Sequence, residues 1–489
     1  MTILHDAPRK RLSEKQVKER LHALNRQRAL KGRAAQRQLD KLHEHIPKPI
    51  RSVFDSLDPS FSPSTLRRFV LLALAAILTV GGRTITNLLR VLGVLAPGHP
   101  SSYHRVFSRD RWSFSSLGRR YVAGVLARFA PRGPILLAGD DTVTEHPGPR
   151  VFGKGRHRDP VRSTHSYTAL RWGHKWVVLA LLVPVPWATR RWALPLLIAL
   201  YRPKQENEKC GKRHKTPSQL LAQMIRVLMR WFPDCTCVVT ADGGYATHEL
   251  AELAARTPRR LTLVTLFYPS ANLVEPPPAY SGRGRPRVKG KDLLSPAEVV
   301  DATKQRETLQ VGWYGGGRRK VEVVTGAGCW YKSGRPLVEL RWVFVHDLSG
   351  THRDEYFFTT DMTMSVSSLI ETYTGRWNIE TTFEEVRSYL HVQTTRGWSR
   401  STVLRMAPCL FGLYTIVVWL YADLPGRSAR VRVVNWPGKR DLTFSDAITA
   451  VRRWLWLEWV LTILGHREAF RKLRPEFRQI LLNGLAPAA

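Results

Sequence analysis

The sequence predicts an α/β protein: a helical N-terminal region, then a mixed sheet flanked by helices and broken by a β-rich segment. Three observations predict it. Short, wholly apolar runs such as Ile135-Leu136-Leu137-Ala138 and Cys237–Thr240 read as buried strands. Segments with helical spacing, Pro217–Trp231 and Thr247–Arg256, lie beside them. A hydrophobic fraction of 43% over 489 residues supports packed cores and several domains.

The first 61 residues read as a basic arm. Residues 1–50 hold 13 Lys or Arg against five Asp or Glu, with few large apolar side chains. A solvated tail and a DNA grip both fit that composition. From Ser62 to about residue 130 the pattern is helical, over Phe69–Val80, Thr84–Leu95 and Leu117–Phe129, with Pro97, Pro100 and Pro131 as breaks. Scattered arginines (Arg67, Arg68, Arg83, Arg90, Arg105) suit a DNA-docking bundle, although no sharp helix-turn-helix signal is present.

At Pro131 the texture changes, and residues 131–269 read as the first part of a catalytic domain. Strands are expected at Ile135–Ala138, Ser166–Leu170 and Lys175–Leu182, then helix, strand, helix, and a last strand at Arg260–Phe267. Three strands followed by alternating helix and strand is the order of an RNase H-like sheet. Asp140-Asp141 follow the first strand and Asp242 follows Cys237–Thr240, at strand ends where an open α/β sheet gathers ligand. A turn or helix cap accounts equally well for either aspartate taken alone.

Residues 270–355 read as a β-rich insertion, with strands at Val321–Thr325 and Val338–His346 and another, Tyr356–Thr359, just beyond it. It opens on Pro276-Pro277-Pro278 and a basic glycine loop, Ser281 to Arg287, whose Arg283-Gly284-Arg285-Pro286 core suits a narrow minor groove or simply a flexible basic loop. Residues 356–425 complete the domain with the segment Tyr373–Arg387 and a long apolar helix, Val403–Tyr421. Residues 426–489 are basic, aromatic (Trp436, Trp454, Trp456, Trp459) and helical over Ser445–Leu464.

Charge narrows the partners. Lys and Arg number 76 against 39 Asp and Glu, a net charge of +37, and such a surface calls for a polyanion. The best apolar runs, Phe69–Val80 and Leu410–Leu420, are shorter than the roughly 18 residues of a spanning helix, so no membrane partner is expected. Five cysteines without a C-x2-C pair (Cys210, Cys235, Cys237, Cys329, Cys409) predict reduced thiols in a cytoplasmic protein and no zinc site.

Taken as one helix, the stretch Tyr373–Arg387 places Tyr373, Arg376, Glu380, Glu384 and Arg387 within about an 80° sector, beside an apolar stripe of Ile379, Phe383, Val386 and Leu390. A salt-bridged solvated face fits that pattern as well as a site does. The spacing Tyr373-x2-Arg376-x3-Glu380-x6-Arg387, with Trp377 and Ile379 around the Glu, resembles the Y-x2-R-x3-E-x6-K signature of bacterial insertion-sequence DDE transposases. Arg387 stands where that family usually has Lys.

The resemblance implies a cut-and-paste DNA transposase with an RNase H-like catalytic domain. It implies catalytic, metal-binding carboxylates at Asp141 (the Asp before Thr142), Asp242 and Glu380, with Asp140 in support. Two Mg²⁺ ions about 3.5–4 Å apart, replaceable by Mn²⁺, would relieve the mutual repulsion of these acids. Tyr373, Arg376 and Arg387 would contact DNA, with Tyr356, just past the β-rich insertion, stacking on a flipped base. Implied partners are double-stranded DNA, both terminal inverted repeats and target, and a second copy in a paired-end homodimer. The setting implied is a bacterial cytoplasm, on the nucleoid. An inactive domesticated transposase that only binds DNA, or a structure-selective RNase H-like nuclease, fits the same residues.

Overall fold

The computed structural model describes residues 14–146, 148–159, 162–164, 166–280, 282, 284–426 and 437–487. Its frame is an 11-stranded mixed sheet flanked by helices. Helices α1 (Glu14–Glu44), α2 (Lys48–Asp55), α3 (Pro63–Leu78), α4 (Ile85–Leu92), α5 (Pro100–Ser108) and α6 (Phe114–Phe129) precede the first strand. Several carry the start signals their sequences advertise: Pro at the first turn of α2, α3 and α5, and the Thr84 and Ser113 hydroxyls accepting backbone N–H bonds at the starts of α4 and α6.

The sheet begins with β1 (Ile135–Glu145), β2 (Gly155–Arg158), β3 (Leu170–Val183) and β4 (Trp192–Tyr201). Then come α7 (Lys204–Glu208), α8 (Pro217–Trp231), β5 (Cys237–Ala241), α9 (His248–Ala255) and β6 (Leu261–Leu266). Strands β4, β3 and β1 run antiparallel in turn, and β5 and then β6 lie parallel to β1. That is the RNase H-like order, but two of its three leading strands differ from expectation. Ser166–Leu170 only reaches β3 at Leu170; apart from the short β2, the strand after β1 is the long β3, which takes in Lys175–Leu182, and the next is β4. Pro195 hides β4 from a sequence reading, because proline is expelled from central strands. Here it sits where the β3–β4 register slips, beside Leu179 and Ala180, on a strand with one sheet neighbour. Its carbonyl instead accepts from the Tyr121 hydroxyl at 2.5 Å and the Thr415 hydroxyl at 3.2 Å.

The β-rich segment extends this same sheet. Strands β7 (Leu273–Val274), β8 (Glu307–Gly312), β9 (Arg318–Trp330), β10 (Val338–Asp347) and β11 (Glu355–Thr359), with α10 (Pro296–Ala302) among them, join through β11 pairing antiparallel to β6. Helices α11 (Val366–Gly375), α12 (Asn378–Leu390) and α13 (Arg400–Ala422) follow, then α14 (Phe444–Leu455) and shorter turns to Leu485.

Two helical layers cover the two faces. On one, Leu221 of α8 lies where a Cβ on Gly139 would fall, at 2.6 Å. On the other, α12 and α13 pack on β4 and β1. By length and composition α13 could cross a membrane, but it is mostly buried, against β4 and α14, so its hydrophobicity is that of a core helix. The helical N-terminal region is locked to this core by two buried arginines. Arg83 donates to the carbonyls of Ala76 (3.0 Å), Gly81 and Tyr389 (2.7 Å), and Arg452 to those of Ile77 (2.6 Å) and Thr79 (3.3 Å). Both cations thus gather at the carbonyl-rich C-terminus of α3, where a helix dipole favours positive charge.

Candidate active site

Strand register decides which acids meet. Strands β1 and β5 pair up to Gly139 and Ala241, so the residues just beyond, Asp140 and Asp242, lie side by side on neighbouring parallel strands. Asp242 keeps an extended backbone (φ −69°, ψ 167°) as it leaves β5. Alternation along a strand then separates the two adjacent aspartates. Asp140 shares the face of α11 and α12, whereas Asp141 shares the face of Gly139 and α8.

The contacts follow that division. Arg376, between α11 and α12, donates Nη1 to Asp140 Oδ2 at 2.7 Å and Nη2 to Glu380 Oε1 at 3.1 Å, and the same Nη2 lies 3.9 Å from Asp242 Oδ1. One guanidinium therefore gathers three carboxylates. Asp141 turns the other way: its Oδ2 accepts from the Tyr245 hydroxyl at 2.9 Å and its Oδ1 pairs with Lys175 Nζ at 3.0 Å. The expectation that Asp141 joins Asp242 and Glu380 is corrected on this point; Asp140 takes that place, and the pleat of β1 is the reason.

Burial grades the three acids. Asp140 is only 14% exposed, while Asp242 and Glu380 are 49% and 46% exposed. Burial raises the Asp140 carboxyl to about 7, against the pull of Arg376 and with the help of negative Asp242 and Asp141. Burial opposes the charge of Arg376, but Asp140, Tyr373, Asp242 and Glu380 more than compensate and hold it above the ordinary arginine value. Burial raises the Tyr245 phenol well above its usual range, and Asp141 and Asp140 add to this.

The Tyr373–Arg387 stretch is not one helix. At its middle the chain tightens: Arg376 N–H bonds Tyr373 O at 3.0 Å and Glu380 N–H bonds Trp377 O at 3.0 Å, three-residue spacings where an α-helix has four. This turn swings Tyr373 off the polar stripe. Its ring is 2% exposed and stacked on Phe357 at 4.3 Å, with the Arg376 guanidinium 5.7 Å from its centre. Tyr373 and Arg376 are thus buried supports of the acid cluster, not surfaces offered to DNA. Arg387 is half-buried and donates Nη1 to Thr142 Oγ1 at 2.6 Å, on the Asp140 face of β1. Burial, with the nearby Arg171, lowers its pKa.

The insertion residues stand apart. Tyr356 is half-buried on β11 with its ring 5.0 Å from Phe344, across the strand pair, so it is not a free stacking platform. Trp330 and Trp342 are core residues. Arg285 is exposed; Arg283 lies outside the described residues. The sequence reading also missed the roles of Lys175, Tyr245 and Thr142, whose only signal was their nearness in chain to a strand or an aspartate.

A family description, DDE superfamily endonuclease, matches residues 56–320, more than half of the chain. The chain belongs to the DDE superfamily endonucleases. The match takes in Asp140, Asp141 and Asp242 and stops short of Glu380. No curated protein matches the chain. Among solved structures the chain is similar to piggyBac transposase in a synaptic complex with hairpin DNA, at 10% identity and a TM-score of 0.38, over 91% of this chain and 83% of that one. So loose a superposition transfers no residue.

The donor set fits a hard divalent cation. Asp140, Asp242 and Glu380 offer only carboxylate oxygens, as Mg²⁺ and Mn²⁺ prefer. The buried Asp140 carboxyl is raised to about 7, so deprotonating it asks for a compensating positive charge. Among the described residues no three His, Cys, Asp or Glu side chains stand close enough to hold an ion as they are, since the Arg376 guanidinium lies between these acids.

Proposed function

We propose that this DDE superfamily endonuclease is a DNA transposase that cleaves element ends and joins them to target DNA. The observation that carries the reading is the convergence on Arg376 of Asp140, which lies in the middle of β1 and not at the strand end expected of it, Asp242, just past the end of β5, and Glu380 of α12.

In this reading Asp140, Asp242 and Glu380 would hold two Mg²⁺ ions. When bound, such ions lower the pKa of an attacking water or 3′-hydroxyl and stabilise the leaving 3′-oxygen. The protein's own residues do the rest. Arg376 keeps the three acids oriented and offsets their charge before loading, and Tyr373 with Phe357 fixes Arg376 from behind. Thr142 holds Arg387 on the Asp140 face, where its cation attracts the scissile backbone. Tyr245 and Lys175 restrain Asp141, so that its charge stays on the opposite face. The partners are duplex DNA, as terminal repeats and target, and a second copy of the chain in the paired-end complex.

The test is cleavage and strand transfer on DNA carrying the element's terminal repeats, with Mg²⁺. Asp140→Ala, Asp242→Ala and Glu380→Ala each abolish both steps without altering the circular dichroism spectrum, while Asp141→Ala retains them. Full activity in any of the first three variants refutes the assignment; loss in Asp141→Ala alone among the two neighbours returns that role to Asp141.

A further inference from the structure

A cleft of about 620 Å³ opens between the starts of α4 and α13 and the end of α5, and none of its lining residues belongs to the acid cluster. Its walls include His104, Arg109, Arg396 and Trp398. Three features make it more than a surface hollow. Trp398 is 69% exposed, a large apolar ring left in water. Arg109 and Arg396 are both exposed, and among the described residues neither has a carboxylate within ion-pair distance. The walls are also fixed in advance. Arg83 N–H bonds Thr394 Oγ1 at 2.8 Å, Phe152 N–H bonds Trp398 O at 3.0 Å, and Arg405 bonds Asp110 O at 3.0 Å.

The position matters as much as the chemistry. The loop bearing Arg396 and Trp398 leaves the C-terminus of α12, about 15 Å along that helix from Glu380 at 1.5 Å per residue. Arg387 lies between them on the same helix, bonded to Thr142. Unpaired cations beside an open indole favour a polyanion with aromatic units over an apolar peptide, and the net charge of +37 agrees. The volume falls in the range of small-ligand sites of about 300–1,000 Å³. It admits one or two nucleotides and not a double helix.

We propose that this cleft takes an unpaired nucleotide of the DNA strand leaving the active site, its base stacked on Trp398 and its phosphates held by Arg109 and Arg396. The link to a departing strand rests on the nuclease reading; the binding chemistry of the cleft does not.

Fluorescence anisotropy with the full chain in EDTA separates the two, because no cleavage is required. The probes are a blunt DNA duplex, the same duplex with a short 3′ overhang, and that overhang made abasic or of RNA. Trp398→Ala weakens binding to the DNA overhang about 10-fold, within the usual effect of removing one stacking residue, and leaves the blunt duplex unchanged. Trp398→Phe restores most of the loss, and the abasic overhang binds the wild type as weakly as the base-bearing one binds Trp398→Ala. Arg109→Ala and Arg396→Ala each reduce the salt dependence of overhang binding by about one ion. Unchanged overhang binding in Trp398→Ala, an equal loss on blunt duplex, or tighter binding of the RNA overhang overturns the proposal. If the Trp398 effect holds while Mg²⁺ elicits no cleavage, the nuclease reading fails and the cleft stands.

Discussion

Asp140 should give the metal-free protein a marked pH dependence of stability. Its carboxyl is raised from 3.8 to about 7, chiefly by burial. Between those values the folded protein holds a proton that the unfolded chain has lost, so stability falls as pH rises and levels off above about 7. At 1.36 kcal/mol per unit the whole effect is on the order of 4 kcal/mol, more than half of it between pH 5 and 8. Asp140→Asn removes this titration. The assay is thermal unfolding in EDTA at each pH, scored as variant minus wild type, which cancels the titration of the histidines. The melting-temperature gap should widen in favour of Asp140→Asn from pH 5 to pH 8. Saturating Mg²⁺ at pH 8 should close the gap by stabilising only the wild type. A flat gap for Asp140→Asn refutes the reasoning that buries Asp140 in the acid cluster.

Two further substitutions probe what holds the site in place. Gly173→Ala would set a Cβ against the Thr144 carbonyl oxygen and 2.9 Å from Glu145 Cα, backbone that cannot turn aside; β1 and β3 must part there, at about 3 kcal/mol, seen as a lower denaturation midpoint and faster amide exchange in β1. Arg83→Met should cost about 3 kcal/mol by stranding carbonyls at the end of α3, and limited proteolysis should then release the helical N-terminal region first. An unchanged digestion pattern would mean that this arginine is not the lock between the two parts.

Much of the site was legible in residues 373–387 and in the two aspartate-bearing segments, because a spacing of unlike charges survives any fold. The choice between Asp140 and Asp141 was not. Neighbours in sequence point to opposite faces of a strand, and which face meets α12 depends on pairing with β5. Tyr373 was misplaced for a similar reason: a turn of three-residue spacing at Arg376 rotates everything before it. The packing of Tyr356 on Phe344 was not legible because the two lie 12 residues apart on different strands. Strand β4 was lost to Pro195, which local propensity excludes and an outer strand tolerates.

The sequence by itself determined that this chain is an α/β protein with a net charge of +37, and that the spacing around Glu380 resembles a transposase signature. These follow from composition and from short-range patterns that need no partner. Only the tertiary structure decided that Arg376 is buried among three acids, that Asp140 and not its neighbour is one of them, and that Trp398 stands open beside two arginines. Those facts depend on strand register and helix docking, which are set by contacts between residues hundreds of positions apart.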